Sequence, residues 1–181
     1  MTAVRWVTLA VVSAATAMLL LDVTIVYVAL PAVQKDLGAS FSQMQWVIDA
    51  YTVILAATLL GAGALADRAG RRRVFVCGLA VFTLFSALCG VAGSALLLDL
   101  SRGAQGLGAA AMFSSSLAVL AHEFQGRERA FALGIWGAVT GASLAVGPFI
   151  GGLVVDGLGW RWIFLVNLPI GLLLIAATLA F

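Results

Sequence analysis

Six long apolar stretches, separated by short polar segments, account for nearly the whole chain. Each is close to the roughly 20 residues that an α-helix needs to cross the hydrocarbon core of a membrane. The pattern predicts an all-α protein that crosses a membrane six times. Pro31 is expected to end the first helix, because proline lacks the N–H group that continues a helix. The predicted helices lie at 6–30, 46–66, 74–93, 97–121, 131–155 and 163–181.

Composition strengthens this prediction and narrows the possible partners. Of the 181 residues, 63% are hydrophobic and 10% are charged. The mean hydropathy is +1.12, and a soluble domain has too little interior to bury so much apolar surface. The net charge of +2 arises from few ionised groups, so no nucleic-acid partner is expected. A cleaved signal peptide is a weaker alternative, since the first stretch is long and five more follow.

The segment 63–73, between the second and third stretches, contains four of the basic residues and sets the orientation. Short basic loops remain on the cytoplasmic side, which predicts that the N-terminus lies inside. The expected location is the cell membrane, crossed several times. Seven basic residues then fall on the inner side and two on the outer side. The inner residues are Arg5, Arg68, Arg71, Arg72, Arg73, Arg127 and Arg129, and the outer ones are Lys35 and Arg161.

Asp22 lies within the first apolar stretch, about two turns from its predicted outer end. Ionisable groups are costly in a membrane, so each is a candidate functional residue. Desolvation favours the neutral form of a carboxyl group, and a carboxyl that takes up and releases a proton suits a proton-coupled carrier. The alternatives are simple pairing with another helix and a position in a wet outer vestibule.

Arg102 lies near the start of the fourth stretch and keeps its charge there. Its acceptor is predicted to be Asp22, Asp99 on the same helix, or backbone carbonyl groups. Pairing with Asp22 would link proton binding to movement between the first and fourth helices. Gln105, three residues further on, shares the face of Arg102 and can join the same network. The alternative for Arg102 is a side chain that extends to the outer interface.

The fifth stretch is rich in small residues, and it contains a proline. Glycine and alanine at four-residue spacing allow a neighbouring helix to approach closely, and Pro148 is expected to add a bend. The pattern predicts a packing groove and a hinge. The residues concerned are Gly137, Gly141, Ala145, Gly147, Pro148, Gly151 and Gly152.

No sequence feature indicates an enzyme, a metal site or a cofactor. Cys77 and Cys89 lie about 18 Å apart along one predicted helix and cannot form a disulfide with each other. Neither has a histidine or carboxylate at ligand spacing, which favours two thiols that pack against apolar side chains. A glycine-rich phosphate loop is absent from the sequence, which argues against an ATP-driven pump.

Five stretches together resemble the major facilitator superfamily, and more narrowly its fourteen-helix drug:proton antiporter branch. One resembles the loop motif of the superfamily, with Gly63, Asp67, Arg68, Gly70, Arg71, Arg72 and Arg73. The segment 102–106 resembles the fourth-helix motif that the family assigns to proton transfer, and Gly141 to Gly152 resembles the antiporter motif. Residues 21–31 and 160–171 are similar to the pair that marks the branch. Tyr27 departs from that pattern, since the branch usually has an amide residue there, and this difference affects the expected polar contacts near Asp22 and the substrate range.

The resemblance implies two six-helix bundles, each built from two three-helix repeats, that rock about a central site. The chain is then expected to be the first bundle of a longer protein, with the C-terminal helices as its partner. A complete six-helix protein that dimerises is the alternative. In the family the loop motif is taken to lock against the second bundle and to gate one conformation.

The leading functional prediction is a proton-driven exporter of small amphipathic molecules or drugs. Asp22, Arg102 and Gln105 would couple protons to transport, and the fifth helix would act as a gate. A second possibility is a metabolite uniporter or symporter of the same fold. A third is a membrane subunit without transport activity, which would need a soluble output domain that the sequence does not contain.

Overall fold

The computed structural model describes residues 3–180 and places them in seven helices. The helices are α1 (Ala3–Leu37), α2 (Phe41–Ala69), α3 (Arg71–Gly90), α4 (Ala95–Glu123), α5 (Gly126–Leu158), α6 (Trp162–Leu165) and α7 (Asn167–Ala180). The short helix α6 and α7 together form one apolar span, so the predicted six membrane-spanning segments are confirmed for this part of the chain. Phe181, the predicted end of the sixth helix, lies outside the described residues.

The expected end of the first helix at Leu30 was wrong. Helix α1 continues through Pro31 to Leu37, and the polar segment predicted at 32–45 shrinks to residues 38–40. A proline removes one helical hydrogen bond, and membrane helices tolerate this loss. The true boundary is set by Gly38, which has a positive φ, and by Ser40, which forms a capping box with Gln43 at the start of α2.

The basic segment 63–73 is helical on both sides of a single linking residue, and it is therefore not the loop that the sequence suggested. Helix α2 ends at Ala69 and α3 begins at Arg71, with Gly70 between them at φ +99°. Only glycine adopts this backbone conformation without strain. We call the end of the bundle that holds Arg71–Arg73 the basic end, and the opposite end, which holds Trp160, the far end.

Helix α4 is the centre of the bundle, and it packs against α2 on one side and α3 on the other, while α1 packs mainly against α5. A Cβ atom built on Gly108 of α4 would lie 2.7 Å from the carbonyl oxygen of Gly78 in α3. Such backbone contact requires glycine at the crossing. Helices α3 and α4 are therefore in direct contact along this crossing.

Two apolar clusters fill the bundle, one towards each end. The basic-end cluster includes Leu19 of α1, Phe82 of α3, Ala109 of α4 and Leu174 of α7. The far-end cluster includes Ile25 of α1, Cys89 of α3, Leu98 of α4 and Phe164 of α6. Five buried polar residues lie between the two clusters, whereas Ser13, Thr16, Ser115 and Ser116 are buried among the residues of the basic-end cluster.

Candidate functional site

A polar layer crosses the middle of the bundle between the two apolar clusters. It consists of Asp22 (α1), Ser86 (α3), Arg102 and Gln105 (α4) and Asn167 (α7), and all five side chains are buried. The five side chains lie at about the same depth along the bundle, so they can contact one another. The layer therefore joins four helices through side chains alone.

Asp22 and Arg102 form an ion pair at the centre of this layer. The Nη1 atom of Arg102 lies 2.5 Å from Oδ2 of Asp22, and neither residue exposes more than 3% of its surface. Of the partners considered for Arg102, Asp22 is the carboxylate found, and Asp99 is not in contact with it. The alternative in which Arg102 extends to the interface was wrong, because a buried carboxylate holds it inside the bundle.

The second oxygen of Asp22 is held by two amide groups. The Nε2 atom of Gln105 and the Nδ2 atom of Asn167 each donate to Oδ1 of Asp22 at 3.1 Å. Hydrogen bonds to a charged group are stronger than those between neutral groups. Both carboxylate oxygens are thus occupied, and Asp22 lies near the middle of α1 rather than two turns from its end.

Arg102 has further partners that do not belong to α1. Its Nε donates to the carbonyl oxygen of Val47 in α2 at 3.2 Å, and its Nη1 donates to Oε1 of Gln105 at 2.8 Å. The guanidinium carbon lies 4.2 Å from the ring centre of Tyr51 and 5.7 Å from that of Phe164. Such contacts stabilise a desolvated cation. Arg102 thus has both an ionic partner, Asp22, and a backbone acceptor, the carbonyl group of Val47.

The basic end contains a second, more exposed set of polar contacts. The side chains of Asp67 and Arg71 form an ion pair at 3.2 Å, and Arg71 also donates to the carbonyl oxygen of Ala118 in α4. Arg72 donates to the carbonyl oxygen of Thr178 in α7. Arg68 and Arg73 are exposed, and Gly63 packs near Ser114. These contacts tie α3 to α4 and α7 at that end.

Only part of the glycine pattern in α5 packs against a helix of the described bundle. A Cβ atom on Gly147 would collide with Thr24 of α1, and one on Gly151 would lie 3.2 Å from Ile25. A Cβ atom at Gly141 or Gly152 would meet nothing within 4 Å among the described residues, so the close approach predicted around Gly141 stays a prediction. Pro148 lies inside the continuous helix α5.

Comparison with known proteins settles the family. Residues 12–181 match the sequence profile of the Major Facilitator Superfamily. The chain belongs to the major facilitator superfamily. Membership in this superfamily, whose members are transporters, supports the expectation that the chain is not an enzyme.

Several resistance proteins are similar to this superfamily member. The multidrug resistance protein Stp of Mycobacterium tuberculosis is 45% identical over 165 residues, which cover 91% of this chain and 31% of Stp. The tetracenomycin C resistance and export protein of Streptomyces glaucescens is 43% identical, with 96% of this chain and 32% of that protein covered. The puromycin resistance protein of Streptomyces alboniger is 45% identical, with 93% and 34% covered. The chain spans about a third of the length of these relatives.

The fold of this superfamily member is also similar to a solved structure. The crystal structure of a bacterial homolog of the human lysosomal transporter Spinster, inward-facing and unoccupied, matches with a TM-score of 0.79. The match covers 99% of this chain and 43% of that chain at 18% identity. It confirms the predicted fold class, the N-terminal six-helix half of a major facilitator fold.

The sequence did not predict three residues of the site. Asn167 and Ser86 belong to the polar layer, and Tyr51 packs against Arg102. Asn167 lies in the segment 160–171 and was assigned no role there, although a lone amide in an apolar span is itself a signal of contact between helices. Nothing in the sequence marks Ser86 or Tyr51, whose importance depends on what lies opposite them. Tyr27, by contrast, is 52% exposed on the outer face of α1 and is not in the layer.

Other features of the superfamily member lie outside the polar layer. Cys77 is exposed and Cys89 is buried, and both are free thiols. A cavity of about 500 Å³ opens at the basic end, where Asp67, Arg71 and Arg72 form part of its wall. None of the residues that line this cavity belongs to the polar layer.

Proposed function

We propose that the full-length protein is a proton-coupled exporter of small amphipathic molecules in the cell membrane. The main support is the Asp22–Arg102 pair, a carboxylate and a guanidinium buried together at mid-depth in an apolar bundle. Burying both charges is costly, and a pair of apolar residues would stabilise a bundle at least as well. The presence of the pair is more simply explained by use of its charges than by stability.

The partners of Arg102 suggest how proton binding would change the bundle. When Asp22 is neutral, its attraction to Arg102 is lost. The remaining partners of Arg102 belong to α2, α4 and α6, so the cation stays where it is. Protonation would therefore loosen the attachment of α1 to α4 selectively, and α1 would be free to move with α5, against which it packs.

The relatives suggest the class of substrate. Their names refer to resistance to several drugs, to tetracenomycin C and to puromycin. We propose amphipathic molecules of this general kind as substrates, with protons as the counter-ion. The rest of the protein would complete the substrate site, and the open faces of Gly141 and Gly152 on α5 are available for contact with it.

The proton-coupling role predicts that Asp22→Asn abolishes gradient-driven export. The full-length protein is reconstituted in vesicles, and uptake or release of the cationic dye ethidium is followed after a pH jump. Wild-type protein is expected to move ethidium only while the pH gradient lasts. Asp22→Asn is expected to reduce this movement at least about 100-fold, as expected when the proton-binding group is removed.

Asp36→Asn is the matched control, because Asp36 lies on the same helix. It forms a half-exposed ion pair with Arg161 at 2.6 Å, far from the polar layer. Its loss is expected to leave coupling unchanged, since exposed ion pairs contribute at most about 1 kcal/mol. Ethidium movement that ignores the pH gradient would contradict the proposal and would favour a uniporter.

We further propose that the basic end faces the cytoplasm, with the N-terminus inside. The prediction uses single cysteines in a background with Cys77 and Cys89 replaced by alanine. Arg73→Cys is expected to resist a membrane-impermeant maleimide in intact cells, because basic segments remain inside. Val91→Cys, at the exposed far end of α3, is expected to react. Labelling of Arg73→Cys but not Val91→Cys from outside would reverse the orientation.

A further inference from the structure

The sixth span passes from α6 to α7 at the level of the polar layer, at a one-residue break whose backbone stays helical. Helix α6 ends at Leu165, Val166 forms the junction, and α7 begins at Asn167. Pro169 lies in the first turn of α7, where proline is well tolerated, and its missing N–H leaves the preceding turn without one helical bond. The hydroxyl of Ser86 donates to the carbonyl oxygen of Phe164 at 2.8 Å, next to the break.

The break brings an amide side chain to the proton site. The Nδ2 atom of Asn167 donates to Oδ1 of Asp22 at 3.1 Å and to the hydroxyl oxygen of Ser86 at 2.9 Å. Asn167 exposes 4% of its surface and Ser86 none. The chain of contacts therefore runs from the carbonyl of Phe164 through Ser86 and Asn167 to the carboxylate of Asp22.

We propose that Asn167 is a positioning residue for the proton site, held in place by Ser86 at the break between α6 and α7. Its amide stabilises the charged form of Asp22. The contact between the start of α7 and α1 therefore depends on whether Asp22 is charged. When Asp22 is protonated, the charge that attracts the amide is gone, and the start of α7 loses its attachment to α1. The inference rests on the proposed function, since it concerns the same proton site.

Few other titratable groups surround Asp22, so the contribution of Asn167 can be isolated. Arg102 of α4 is in direct contact, and Tyr51 of α2 and Cys89 of α3 are near enough to interact with its charge. Helices α6 and α7 contain no titratable side chain among the described residues. The ionisable residues of α5 lie in its first and last turns and are Arg127, Glu128, Arg129 and Asp156.

The test is an infrared pH titration of the purified full-length protein without substrate. The absorption band of the protonated Asp22 carboxyl is identified by its absence in Asp22→Asn. Asn167→Leu is expected to raise the titration midpoint of this band by about one pH unit, because a hydrogen bond that stabilises the charged form has been removed. Ser86→Ala, which frees Asn167 from its support, is expected to raise the midpoint by less.

Thr83→Val is the matched control at the same helix interface. Thr83 lies on α3 one turn before Ser86 and packs against Gly171 of α7, and its buried hydroxyl has no partner among the described residues. Valine keeps its shape, so the midpoint is expected to stay unchanged. The inference is overturned if both Asn167→Leu and Ser86→Ala titrate as the wild type does, or if Thr83→Val shifts the midpoint equally.

The outcome is separable from that of the proposed function. A raised midpoint in Asn167→Leu supports the positioning role even if ethidium movement does not depend on the pH gradient. In that case only the transport proposal fails. A midpoint that is unchanged in both Asn167→Leu and Ser86→Ala overturns the positioning role even if export remains driven by protons. If Asn167→Leu does not fold, the Ser86→Ala titration decides the matter in the same way.

Discussion

Arg102→Gln alone is expected to destabilise the protein by about 3–5 kcal/mol and to abolish export. The substitution leaves the Asp22 carboxylate buried without its cation, with only the amides of Gln105 and Asn167 beside it. An uncompensated charge in a low-dielectric interior is among the most costly changes that a folded protein can undergo. Thermal unfolding in detergent, followed by circular dichroism, measures the loss of stability.

The double variant Asp22→Asn with Arg102→Gln separates stability from function. Both charges are removed, and amide groups remain to hydrogen-bond with Gln105 and Asn167. Because replacing both members of a buried ion pair is often neutral, stability is expected to return to within about 2 kcal/mol of the wild type. Export is expected to remain absent. Wild-type export by this stable, neutral variant would show that the charges have only a structural role.

Gly108→Ala is expected to cost about 2 kcal/mol or more and to lower the yield of folded protein. A Cβ atom there would lie 2.5 Å from the backbone nitrogen of Phe82 and 2.7 Å from the carbonyl oxygen of Gly78. Both are backbone atoms, so α3 and α4 would have to separate rather than adjust a side chain. The same unfolding measurement in detergent records the effect.

Gly141→Ala is the control for the glycine prediction, because it adds the same methyl group at an open position of α5. Stability is expected to be unchanged or to rise by up to about 1 kcal/mol, since alanine favours helix over glycine. Equal destabilisation by the two substitutions would contradict the tight crossing of α3 and α4. Loss of export by a stable Gly141→Ala variant would indicate that this face of α5 contacts the rest of the protein.

The ion pair was predictable from sequence because charged residues in apolar spans stand out from their surroundings. Asp22 and Arg102 each had few acceptable partners, and helix periodicity placed Gln105 beside Arg102. The six spans were predictable for a related reason, since span length is set by membrane thickness.

The remaining features depend on contacts that a linear pattern does not record. Pro31 lies inside α1 although the sequence alone suggested a stop, because membrane helices tolerate the loss of one backbone donor. Asn167, Ser86 and Tyr51 matter only because helix packing sets them opposite Asp22 and Arg102. Of the small residues in α5, Gly147 and Gly151 are the ones that lie against α1, and the sequence alone does not distinguish them from the others.

Proton movement driven by dye is the most direct measure of coupling through Asp22. Vesicles containing the full-length protein are given an ethidium gradient without any pH difference, and the internal pH is followed. Wild-type protein is expected to move protons in the direction opposite to ethidium, and Asp22→Asn is expected to move none. Ethidium flow through the wild type with constant internal pH, or proton movement by Asp22→Asn equal to that of the wild type, would contradict a coupling role for this residue.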